Sequence, residues 1–140
     1  MKVLFHHEPF DRDVSSGTLH AAYQWVELLS AFGVTEAAVI TFVEEEEDQW
    51  PQVASDFIIT TYTSAEAFVE ANPDAVVIGT AKEADNHYRD FDYSGGDWLY
   101  IGGTFQTALP CACRVGIPTV GGRDLYPREA AAIILAEATR

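Results

Sequence analysis

The stretch WLYIGG (98–103), TFQTALP (104–110), CACRVG (111–116), IPTVGG (117–122), RDLYP (123–127) and REAAAIILAEATR (128–140) decides how this chain reads. It spells a buried strand closed by a double glycine, a short helix, a second strand running into Ile-Pro, a tight loop and a closing apolar helix. Strands that stop at glycine just before the chain turns leave main-chain amides and carbonyls gathered at one edge of a sheet. Open α/β folds bind small molecules at such an edge, and function is expected there.

Upstream, KVLF (2–5) reads as an opening strand and HHEPFDRDVSSG (6–17) as the loop after it. A helix is expected from Thr18, because Leu19, Ala22, Tyr23, Val26 and Leu29 recur at three- and four-residue steps, and Gly33 supplies its stop. EAAVITFV (36–43) is a second strand, apolar throughout as a strand covered on both faces should be. The acidic run Glu44 to Asp48 reads as a solvated loop, and Gln52 to Asp56 as a helical turn. FIITTYT (57–63) is a third strand, Ser64 opens a helix that Pro73 ends, and DAVVIGT (74–80) is a fourth strand. A polar stretch (81–97) then leads to WLYIGG as the fifth.

This alternation predicts an α/β fold with a mostly parallel sheet flanked by helices, and the length suits one domain over residues 1–140. The closing helix is apolar nearly all round. It should therefore be covered on more than one side, by the sheet and by a partner, with a homodimer through the first and last helices as the expectation.

Eight basic residues stand against twenty-two acidic ones, for a net charge of −14. Nucleic-acid binders gain affinity as Lys and Arg displace counterions from phosphates, so this balance speaks against tight unaided binding of RNA or tRNA. It suits a cationic small ligand, or simply solubility. Cys111 and Cys113 are separated by one residue, too close for an unstrained disulfide, and read as free thiols of a reducing compartment. The opening residues lack the apolar run of a signal peptide, and no segment has the length of a membrane span. A cytoplasmic protein, of a cell or of an infected host, is the expectation.

His6, His7 and Glu8 are adjacent, so on extended backbone they point to opposite faces, and no second His or Cys cluster stands at a matching spacing; no metal site is expected. Cys111-Ala112-Cys113 lacks the two-residue spacing of a redox pair and is expected, where a helix packs, to act as buried small hydrophobes. Trp25, Trp50 and Trp98 read as core or interface residues. No phosphate-cradling or dinucleotide glycine motif follows the first strand.

The order and spacing of these pieces resemble the SPOUT superfamily, in particular the small enzymes that 2′-O-methylate the wobble nucleotide of tRNA. Glu8-Pro9 after the first strand, the segment VVIGTAKEADNHYRDFDYSGGDWLYIGG (76–103), GTFQTALP (103–110), Ile117-Pro118-Thr119 and DLYPREAAAIILAEATR (124–140) carry the likeness. The resemblance implies a C-terminal trefoil knot within residues 79–125, an exception to the rule that chains are not threaded. It also implies an S-adenosylmethionine pocket built mainly from main-chain groups of three loops. The matching positions are Ile78, Gly79 and Thr80, then Gly102 and Gly103, then Ile117, Thr119 and Leu125.

Catalytic positions depart from the family. Counting back from Gly33 places Glu27 where the family has an arginine on its first helix, and counting forward from Gly17 places Ala21 there; neither can replace it. Phe105 and Thr107 stand for the glutamate and arginine of the glycine loop, and Asp124-Leu125-Tyr126-Pro127-Arg128 for the terminal Ser-Leu-Asn-x-Ser. Arg12 and Arg128 remain as catalytic candidates, each set against a plain surface role. Methylation of a ribose hydroxyl needs help with its proton, so these losses leave two readings. One is a methyltransferase-like homodimer that keeps a cofactor pocket; the other is a non-catalytic knotted module acting through its dimer or acidic surface. An unknotted α/β nucleotide-binding domain is a third.

Overall fold

A computed structural model describes residues 1–7, 17–41, 56–101 and 109–140. Its strands are β1 (Lys2–His7), β2 (Glu36–Thr41), β3 (Ile58–Tyr62), β4 (Val77–Thr80), β5 (Asn86–His87), β6 (Trp98–Ile101) and β7 (Cys113–Gly116). The helices are α1 (Gly17–Ala31), α2 (Ala65–Ala71) and α3 (Pro127–Ala138), with single 3-10 turns at Tyr93–Gly95 and Val120–Gly122. The strands form one sheet in the order β3-β2-β1-β6-β4-β7-β5, and every pairing among them is parallel.

Parallel pairing puts matching residues in rows across the sheet, and alternate rows face opposite layers. Val3, Ala37, Leu99 and Ile78 share one row; with Phe5, Val39, Ile101 and Val115 they face α1 and α3. Leu4, Ala38, Tyr100, Gly79 and Arg114 share the next row, on the side where α2 packs. On the first side Trp25 of α1 stacks on Phe5 with ring centroids 4.1 Å apart. On the second, Phe68 of α2 meets Tyr62 and Trp98 edge-on.

Local signals place the helices. Gly33, at φ 74°, takes the left-handed position that ends α1. Its N–H donates to Ser30 O and that of Val34 to Leu29 O, so two otherwise orphaned carbonyls are satisfied. Ser64 caps α2, its Oγ accepting from Ala67 N at 3.1 Å. That helix ends before Pro73 because Asn72 folds back, its side-chain amide donating to Phe68 O at 3.0 Å.

Several expectations need correction. The polar stretch 81–97 is not all loop: Asn86–His87 forms the edge strand β5 on β7, and the Asn86 amide donates to Arg114 O at 3.0 Å. WLYI is therefore the sixth strand, lying between β1 and β4. Cys113 opens β7, in the row of Ile78 that faces α1 and α3, and both cysteines are half-buried. The third and fourth strands are shorter than read, the latter losing residues 74–76. Phe42 and Val43, the acidic run, Trp50, the turn at 52–56 up to residue 55, and the short helix within 104–110 up to residue 108 lie outside the described residues. Among those described, no helix is long and apolar enough to cross a membrane.

Candidate functional site

A cavity of about 490 Å³ opens at the carboxyl ends of β4, β6 and β7, within the size range of small-molecule sites. It lies on the α1/α3 side of the sheet. Ile101 closes β6, Val115 and Ile117 come from β7 and the residue after it, and Ala130 and Ile134 face in from α3. Pro127, Ala130 and Ile134 are spaced by three and four residues, one stripe of the helix. Thr80, Ala81 and Lys82 form the wall after β4, and Thr119, Arg123, Asp124, Leu125 and Tyr126 the wall after β7.

Hydrogen bonds hold these walls. Thr80 Oγ1 donates to Tyr100 O at 3.0 Å, and Ala81 N to Val115 O at 3.1 Å, which ties the β4 turn to its neighbours on both sides. Thr119 Oγ1 donates to Arg123 O at 2.6 Å. Between them Gly121 and Gly122 take φ values of 69° and 65°, a pair of left-handed residues that only glycine adopts readily in succession. Lys82 Nζ and Asp124 lie 3.3 Å apart, bridging the two walls at the rim. Pro127 sits in the first turn of α3, where the Glu129 carboxylate accepts from Tyr126 N at 3.0 Å.

Of the positions singled out from sequence, Thr80, Ile117, Thr119 and Leu125 come together on this wall. Ile78 and Gly79 do not reach it. Ile78 is 2% exposed in the core, and Gly79 belongs to the α2 side, where a Cβ would meet Cys111 Sγ and Arg114. Gly102 and Gly103 lie outside the described residues, as does Arg12. Arg128 is half-buried in the first turn of α3 and donates to Gln24 Oε1 of α1.

The sequence reading missed Lys82, Arg123, Asp124 and Tyr126 as wall residues. Their signal was adjacency: each lies within two residues of a position already chosen. Lining by α3 also revises the reading of that helix. Ala131, Ile134 and Leu135 are buried, and Ala130 and Ile134 face the cavity, so sheet and cavity together account for much of its apolar circumference.

Two further polar groups, one buried and one half-buried, lie near the same sheet edge but on the α2 side. His6, 2% exposed, lies with Nδ1 2.7 Å from the Tyr100 hydroxyl. Arg114 crosses Gly79 and donates from Nη2 to Leu109 O at 3.1 Å. Burial pushes the Cys111 thiol up, with the nearby Arg114 cation opposing the shift. No group of three or more His, Cys, Asp or Glu stands close enough to hold a metal among the described residues.

The wall has an apolar floor, hydroxyls at Thr80 and Thr119, and charges of both signs at its rim. With their hydrogens given to Tyr100 O and Arg123 O, the two hydroxyls can still accept, and this lining fits a ligand such as S-adenosylmethionine, which combines a flat adenosine body with a zwitterionic amino-acid end.

The fold is that of the SpoU/TrmH methyltransferases of the SPOUT superfamily. The chain is similar to the SpoU methyltransferase AviRb from Streptomyces viridochromogenes in complex with AdoMet, at 21% identity and a TM-score of 0.66, over 100% of this chain and 59% of that one. It is also similar to the A. aeolicus TrmH/SpoU tRNA modifying enzyme, at 18% identity and 0.69, over 100% and 73% of the two chains. A third likeness, at 18% identity and 0.66 over 98% and 87%, is to a structure concerned with the 2-OH methylation of C/U34 on tRNA. The chain thus spans about three fifths of AviRb. No protein-family profile matches the chain, and no curated protein matches it by sequence.

Proposed function

We propose that this chain binds S-adenosylmethionine in the cavity at the carboxyl ends of β4, β6 and β7, as a relative of RNA 2′-O-methyltransferases whose catalytic side chains are largely replaced. One observation carries the reading: four residues chosen from the family resemblance, Thr80, Ile117, Thr119 and Leu125, share the wall of one cavity of suitable size. When bound, the cofactor supplies a methyl group activated by its sulfonium. The chain's own part is to enclose the adenosine body against Ile101, Val115 and Ile134, excluding water, while Thr80 and Thr119 offer polar contacts. The proposed homodimer through α1 and α3, and the threading of residues 79–125 into a knot, belong to the same reading.

Calorimetry with S-adenosylmethionine and S-adenosylhomocysteine tests the pocket. Measurable heat below millimolar ligand is expected, and none at millimolar ligand removes the reading. A methyl-transfer assay on total tRNA then separates an enzyme from a binder. Arg128 is engaged by Gln24, and the net charge is −14. Both support the reading of a kept pocket with a lost catalytic apparatus, and no transfer to tRNA is its expected outcome; the alternative, a non-catalytic knotted module acting through its dimer or acidic surface, needs no pocket.

A further inference from the structure

Arg123 stands apart among the chain's cations. Lys2 pairs with Glu36 at 3.3 Å and Lys82 with Asp124 at 3.3 Å, while Arg89 and Arg140 both reach Glu137, at 4.0 and 3.4 Å. Arg114 donates to main-chain carbonyls and Arg128 to Gln24. The Arg123 guanidinium alone makes no hydrogen bond or ion pair among the described residues. Four of the other six described cations hold a carboxylate and two hold neutral oxygens, so a polar partner is the ordinary fate of a cation here. Its exception sits on the cavity wall, while the wall's other cation, Lys82, is already taken by Asp124.

The loop carrying Arg123 is fixed. Thr119 Oγ1 donates to the Arg123 carbonyl at 2.6 Å, and Gly122 N to Thr119 O at 3.2 Å, so the main chain beneath the guanidinium is set before any ligand arrives. A planar guanidinium offers two parallel N–H groups to a carboxylate, and a preset backbone lowers the ordering cost of using them.

We infer that Arg123 is the counter-ion for a carboxylate on the cavity's ligand, so that the site selects an adenosyl amino acid over a plain adenosine thioether. This rests on the cofactor reading and adds a side-chain grip on the acid end. The alternative is an Arg123 that only adds positive charge to the surface, with the ligand held by its adenosine body alone.

Calorimetry with two ligands distinguishes these. S-adenosylhomocysteine carries the carboxylate without the sulfonium charge; 5′-methylthioadenosine keeps the adenosyl thioether and lacks the amino acid. The wild-type chain is expected to bind the first about ten-fold more tightly, in line with a hydrogen bond to a charged group. Arg123→Ala should bring it down to the level of the second and leave 5′-methylthioadenosine unchanged, and Arg123→Lys should keep part of the preference. The side chain is exposed, so the thermal midpoint of both variants should stay that of the wild type. Equal binding of both ligands by the wild type, or equal loss of both in Arg123→Ala, overturns the inference and leaves the adenosyl pocket standing. Binding of neither ligand overturns the cofactor reading and this inference with it.

Discussion

Replacing Gly79 by alanine tests why that glycine is there. The resemblance offered it as a cofactor contact, but its Cβ position faces the α2 side, 2.7 Å from Cys111 Sγ, 2.8 Å from Arg114 Nη1 and 3.1 Å from Arg114 Cγ. Non-bonded heavy atoms rest at roughly 3.5–4.0 Å, so an added methyl group overlaps both side chains by about 1 Å. Arg114 cannot swing away without weakening its bond to Leu109 O at 3.1 Å, whereas its contact with Thr80 O, at 3.5 Å, has little to lose. Overpacking of this kind costs about 1–3 kcal/mol. Urea melts at neutral pH should show a lower midpoint with an unchanged slope. Cys111→Ala, added to Gly79→Ala, should return about 1 kcal/mol by removing the closest atom, a coupling that a double-mutant cycle measures. Gly95→Ala is the control. It has nothing within 4 Å of its Cβ position and no positive φ, so alanine should stabilise by up to about 1 kcal/mol. A Gly79→Ala chain that melts with the wild type, or one that Cys111→Ala fails to rescue, refutes the packing account. Because the cavity is on the other side of the sheet, Gly79→Ala should leave S-adenosylhomocysteine affinity within about two-fold, a change of roughly 0.4 kcal/mol.

Other outcomes follow from single contacts. Ser64→Ala removes the α2 cap and should cost about 1 kcal/mol in urea melts; a loss no larger than that of an exposed Ser30→Ala control would count against the cap. The Tyr93 phenol donates to Tyr88 O at 2.6 Å and is pushed up from 10.0 to about 12, first by burial and then by the negative charges of Glu137 and Tyr88. It stays neutral in the fold while the unfolded chain ionises near 10, so its stability contribution is complete below pH 10 and is lost as pH rises to about 12. Tyr93→Phe should make that alkaline decline shallower, and an equally steep decline in both proteins would sink the assignment. Sedimentation should give a dimer if α1 and α3 form the proposed interface, and Tyr23→Asp, at a half-exposed position of α1, should shift it towards monomer without lowering the urea midpoint.

The sequence was legible where one local signal decided an element. Gly33 and Ser64 each mark a helix end by a main-chain requirement that few other residues meet, and the apolar run Ala37 to Ile40 admits only a strand covered on both sides. Strand order was not legible, because parallel strands buried on both faces all carry the same kind of run and any of them fits any slot. Asn86–His87 was missed because it pairs without an apolar pattern, through the backbone of Gly116 and the Asn86 amide. At the site, family likeness located the loops after β4 and β7, but not which atoms turn inward. Gly79 looked like room for a ligand and is room for an arginine; Arg123 was not singled out and lines the cavity.

The central place of β6 has a consequence for how the protein is made. Trp98–Ile101 fills a slot between β1 and β4, both of which leave the ribosome earlier. Until that segment emerges, each of those strands has a bare flank with unmet amides and carbonyls, a template for pairing with a neighbouring nascent chain. Truncations ending before residue 98 should therefore clump rather than yield a smaller soluble unit, and because β7 follows β6 in the chain, β4 gains its neighbours on both flanks only late in synthesis.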